Sequence, residues 1–96
     1  MKTFLFLFQG FEEPTPQVMA AWQNWFAKIG ERFMDPGSPL RSGREVTAEG
    51  ATDLTADMAP ATAYCLISAA DLDEAVGLLD GCPIIDSARV YETAGM

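Results

Sequence analysis

Histidine is absent from this sequence, and cations are scarce, with 6 Lys and Arg against 14 Asp and Glu for a net charge of −8. The first absence removes the side chain most used for proton transfer near neutral pH, which is also the commonest metal ligand. The second creates a field that repels phosphate backbones and anionic lipid surfaces, so no nucleic acid is expected as a partner. There are only 2 cysteines, Cys65 and Cys82. A small secreted domain carries a denser disulfide set, and the pair fits a reducing cytoplasm. No apolar run approaches the roughly 18 residues of a membrane span, so no membrane partner is expected either. Phe4 to Phe8 is too short for a secretion h-region of about 7 to 15 residues, and Gln9, Gly10, Glu12 and Glu13 follow it at once. With no Cys/His/Asp cluster and no glycine-rich phosphate loop, neither a metal nor a cofactor is expected.

What is present suits a folded domain. A chain of 96 residues with a hydrophobic fraction of 49% can build one core and not two. Thr3 to Phe8 reads as a strand apolar on both faces, with Phe4, Phe6 and Phe8 on one side and Leu5 and Leu7 on the other. Two helices on one side of a sheet leave the other side uncovered, and the expected cover is a second copy of the chain.

Thr15 followed by Pro16 has the form of an N-cap and a proline in the first helical turn. From there Val18, Met19, Trp22, Trp25, Phe26, Ile29 and Phe33 fall within an arc of roughly 120°, which predicts a helix running to Met34. Gly30 marks either an early fraying of its last turn or the approach of another backbone. Asp35-Pro36-Gly37-Ser38-Pro39 reads as a loop, barred from a helix or a central strand. Arg44 to Ala48 is the expected second strand, and Ala51 to Pro60 a mobile connection. Ala61 to Ala69 makes the next strand. Asp71 with Glu74 three residues on predicts a capping box, with Leu72, Ala75, Val76 and Leu79 at helical spacing until Gly81 and Pro83. Ala88 to Thr93 closes the chain as a strand. The order strand, helix, strand, strand, helix, strand predicts an α+β, ferredoxin-like βαββαβ fold, an antiparallel four-stranded sheet with two helices on one face.

Several short motifs run through this frame: Trp22-x-x-Trp25-Phe26, Asp35-Pro36-Gly37-x-Pro39, Ala63-Tyr64 leading a strand, Asp71-Leu72-Asp73-Glu74-Ala75, Gly81-Cys82-Pro83 and Val90-Tyr91-Glu92. In their order and spacing the chain resembles the YCII-related family, in particular a subgroup with WxxW, DPGxP and GCP motifs. The resemblance covers nearly all of residues 1–96 as one YCII-like domain. It implies a homodimer built as a dimeric α+β barrel, with a pocket between the first helix and the sheet of each subunit. Some members of that family look like small enzymes, including a dehydrochlorinase-type activity on chlorinated hydroxyquinols, with a His/Asp pair. Here the family's helix histidine would fall close to Trp22, and the histidine after the GCP turn falls on Ile84. Ala63 stands for a frequent glycine, and Asp57-Met58-Ala59-Pro60 for the DGPF-like motif. Histidine-based acid/base chemistry is therefore out of reach.

The expected site lies between the first helix and the sheet. Trp22 and Trp25 either line it or simply pack the core. Asp35 is the best candidate catalytic group, with a tyrosine or a bound water as alternatives; it is a carboxylate beside the pocket mouth, although an Asp before Pro-Gly commonly accepts backbone N–H bonds to fix a turn. Tyr64 offers a phenol to a bound oxygen or packs on its strand. Arg41 offers a forked guanidinium to a carboxylate or phosphate, or joins a solvated ion pair. Cys82, just past a helix C-terminus, is a poor nucleophile, and Cys65 reads as a small buried residue. Two functions follow as expectations: a dimeric domain that binds a small organic molecule, or a small lyase- or isomerase-type enzyme using Asp35 without histidine.

Overall fold

The computed structural model of the chain describes residues 1–94. Strand β1 (Lys2–Gln9) is followed by helix α1 (Pro16–Ile29), strands β2 (Phe33–Pro39), β3 (Arg44–Thr47), β4 (Gly50–Asp53) and β5 (Ala61–Ala69), helix α2 (Leu72–Gly77) and strand β6 (Ser87–Glu92). β2, β5, β1 and β6 form one four-stranded antiparallel sheet in that order, while β3 and β4 pair only with each other. The molecule is α+β, compatible with the expected ferredoxin-like arrangement.

The core lies on one face of the sheet, and the pleat explains its membership. Successive side chains on a strand point to opposite faces. Phe4, Phe6 and Phe8 of β1 and Cys65, Ile67 and Ala69 of β5 all lie between 0% and 7% exposed, and the register sets Phe4 opposite Ile67 and Phe6 opposite Cys65. Trp25 and Ile29 of α1 and Ala75 of α2 close this layer from above. Each buried phenylalanine contributes about 1.5–3 kcal/mol by removing apolar surface from water. Leu5, Leu7, Tyr64 and Leu66 point the other way and are only half-buried, and Tyr91 beside Leu5 is 46% exposed.

The caps expected for both helices are present. Thr15 Oγ1 accepts from Val18 N at 3.2 Å with Pro16 in the first turn, and Asp71 Oδ1 accepts from Glu74 N at 2.8 Å. Glu74 completes its box one residue early, accepting from Ala70 N at 3.4 Å. Both helices are shorter than the periodicity predicts. α1 ends at Ile29, because Gly30 adopts φ 52° and turns the chain out of the helix. Phe33, assigned to the helical arc, instead opens β2, yet still packs on the core. α2 stops at Gly77 and continues as three-residue turns to Cys82. Its Leu72 and Val76 are about half exposed, so only Ala75 is fully buried.

The second strand is the main correction. The sheet takes Phe33–Pro39, whose first two residues the sequence assigns to the end of the helix and whose residues 35–39 it assigns to a loop, and not Arg44 to Ala48. Proline cannot donate to a ladder, which excludes it from central strands, but an edge strand with bulges accommodates it. β2 is an edge strand, and its register against β5 shifts between Phe33 and Asp35 and again between Asp35 and Ser38. Gly37 makes this possible: φ is +75°, and a Cβ there would lie 1.7 Å from the Tyr64 carbonyl oxygen. Arg44–Thr47 forms a separate hairpin with Gly50–Asp53, and the segment expected to be a mobile connection thus begins as a strand and continues as a 3₁₀ turn at Ala56–Met58.

Candidate functional site

A cavity of about 570 Å³ opens between α1 and the end of the sheet, within the roughly 300–1,000 Å³ range of small-molecule sites. Its floor is Phe8 of β1 with Ala63 and Cys65 of β5. Its wall is Val18, Trp22, Trp25 and Phe26 of α1, and its rim comes from residues 9–12, Pro14, residues 36–41 and Ile84-Ile85. The lining is mainly apolar because α1 meets the sheet at its Trp25–Ile29 end, while Trp22 stands off and is only half-buried.

The two tryptophans have different tasks. Trp25 is 2% exposed, and its indole N–H donates to the Leu78 carbonyl at 2.8 Å. That bond ties α1 to the segment after α2, so Trp25 is a core residue whose donor is already committed. Trp22 packs edge-on to Phe8, with centroids 5.4 Å apart and planes at 85°, and to Trp25 at 5.9 Å and 83°. Its indole N–H makes no hydrogen bond among the described residues, so Trp22 is the one of the pair able to orient a ligand.

Of the residues singled out from the sequence, Trp22, Trp25, Tyr64 and Arg41 line this cavity, and Asp35 does not. Asp35 Oδ1 accepts from Gly37 N at 2.8 Å, the turn-fixing bond of an Asp before Pro-Gly. Tyr64 pairs with Leu7. Strand alternation therefore directs its ring to the half-open face, and what it gives the cavity is main chain. Arg41 sits just beyond β2 and is anchored through its neighbour, since Leu40 N donates to Thr62 O at 2.8 Å. Thr62 Oγ1 in turn donates to Gly10 O at 2.8 Å, joining the two rim loops.

Sequence reasoning missed Phe11, Glu12, Ile84 and Ile85 on the rim. One signal was available: Phe11 is an apolar residue stranded between Gly10 and two glutamates, and it is 76% exposed. Neither thiol is a nucleophile. Burial, reinforced by the nearby Asp35 charge, pushes the Cys65 thiol up to about 12, and burial, then Cys65 itself, pushes Cys82 to about 12. Among the described residues no group of three or more His, Cys, Asp or Glu side chains could hold a metal, and no helix is long and apolar enough to cross a membrane. No family model, curated protein or solved structure matches this chain.

Proposed function

We propose that this chain is a small cytoplasmic domain of the YCII-like type, a homodimeric ferredoxin-like α+β barrel, that binds a small organic molecule between α1 and the sheet. The observation that carries this reading is the 570 Å³ cavity walled by Trp22 and floored by Phe8. A domain whose only task was dimerisation would gain by filling that space, because unfilled apolar volume forfeits packing energy.

The strand order β2-β5-β1-β6 supports the ferredoxin-like reading. The half-buried Leu5, Leu7 and Leu66, with the exposed Tyr91 beside Leu5, support a second copy packed on the open face. The two free thiols suit a reducing compartment. The lyase or isomerase reading has less behind it, because Asp35 faces its own turn and does not line the cavity.

Titration with 1-anilinonaphthalene-8-sulfonate tests the binding function, with native mass spectrometry of the freshly purified protein alongside. The expected result is saturable dye binding at one site per subunit, weakened at least tenfold by Trp22→Ala, and a copurified small molecule or its empty counterpart at dimer mass. Dye binding that is absent, or unchanged in a folded Trp22→Ala protein, would overturn it.

A further inference from the structure

The charges on the cavity rim are specific enough to name a ligand class, on the reading that the cavity binds a small molecule. Of the six cations in the chain, four are ion-paired: Lys2 with Glu92, Lys28 with Asp80, Arg32 with Glu74 and Arg44 with Asp53. The other two, Arg41 and Arg89, make no ion pair or side-chain hydrogen bond among the described residues, although acids outnumber cations more than twofold, and Arg89 lies on the half-open face of the sheet opposite Leu7. Arg41 is the one cation that lines the cavity. The residue before it is tied to β5 by the Leu40-to-Thr62 bond at 2.8 Å, so Arg41 extends from an anchored rim.

We propose that the cavity takes a flat apolar monocarboxylate, its ring system against Trp22 and Phe8 and its carboxylate on Arg41. A guanidinium meets a carboxylate through two parallel N–H donors, and aromatic walls favour a planar ring. In a chain of net charge −8 an anion is repelled everywhere that no local cation receives it. Glu12 is the one acidic residue lining the cavity. It makes no ion pair with Arg41, and it sets a penalty on a second carboxylate, which limits the ligand to one.

The experiment compares 2-naphthoate, 2-naphthamide and naphthalene-2,6-dicarboxylate by calorimetric titration of the wild type and Arg41→Gln. Naphthoate is expected to bind at least tenfold tighter than the amide and tighter than the dicarboxylate, with Arg41→Gln abolishing the difference between naphthoate and amide. Amide binding as tight as naphthoate, or a preference that survives Arg41→Gln, would overturn the role of Arg41 while leaving the cavity reading intact. A dicarboxylate binding as tightly as naphthoate would overturn the limit to one anion. Failure of all three probes, with thermal melting showing a folded protein, would overturn the cavity reading and this proposal together.

Discussion

The two faces of the central sheet are made from the same strands, yet they differ sharply. On β1, Phe4 and Phe6 are fully buried under the helices, while Leu5 and Leu7 between them are only half-buried. The covered face is finished by this chain alone, with Trp25 and Ile29 from α1 and Ala75 from α2. The other face carries Leu66, Tyr64 and Tyr91 beside the leucines, with Arg89 among them, and nothing from the described residues lies over it to the same depth. An alternating strand that is apolar on both sides therefore has one face buried within the chain and one left partly open, which is the face the proposed second copy would cover.

Substitutions on each face separate the two kinds of burial. Trp25→Ala should produce the largest effect, about 3–5 kcal/mol of unfolding free energy at any protein concentration, through lost contacts and a cavity. Leu7→Ala should cost less, and by an amount that grows with protein concentration, since stability drawn from a partner depends on mass action. Urea denaturation at two concentrations reads both, and a Leu7 effect independent of concentration would erase the contrast.

Leu7→Arg sharpens it further. A charge placed in an apolar interface is desolvated without a counterion, so the dimer dissociation constant should rise at least about 100-fold while the monomer stays folded. Sedimentation equilibrium measures this directly, and a wild-type protein that is monomeric at micromolar concentration would refute the dimer.

The thiols probe the covered side, and their effect is confined to alkaline pH. Both stay protonated in the folded chain to about 12 against an ordinary 9.0, so the unfolded chain loses protons first as pH rises. Stability should be level below the ordinary thiol range and decline between pH 9.0 and about 12, by at most about 1.4 kcal/mol per pH unit per thiol. Cys82→Ala should flatten that decline, and identical slopes in variant and wild type would show that burial does not hold the proton on Cys82. The smallest effect is expected at Asp35→Asn, which keeps an acceptor for Gly37 N and should cost less than about 1 kcal/mol without altering ligand affinity. A folded Asp35→Asn protein that had lost binding would return Asp35 to the site.

Much of this was legible in the residues and some was not. The alternation of β1, the Thr15 and Asp71 caps and the amphipathic arc of α1 are local signals, and each predicts its element within a few residues. The edge strand Phe33–Pro39 is invisible to the same reasoning, because Asp, two prolines and a glycine read as a turn unless one knows that only one side of the strand is paired. The site divides in the same way. Trp22 follows from the arc, whereas Arg41 reaches the cavity from a segment that Leu40 ties to β5, a pairing no local signal reveals. Phe11, Ile84 and Ile85 join it from loops distant in sequence.

By itself the sequence determined the chemistry on offer: no histidine, two cysteines, an excess of acids, and one aromatic helix face beside an apolar strand. Those follow from composition and from periods of 3.6 and 2, which need no knowledge of neighbours. Tertiary structure decided which of those residues meet. It spent the Trp25 donor on Leu78, turned Asp35 to its own loop and set Arg41 at the rim of the cavity. The reason is physical: hydrogen bonds and packing between segments dozens of residues apart depend on register and bulges, and a single glycine at position 37, seated against the Tyr64 carbonyl, sets both for the strand that leads to Arg41.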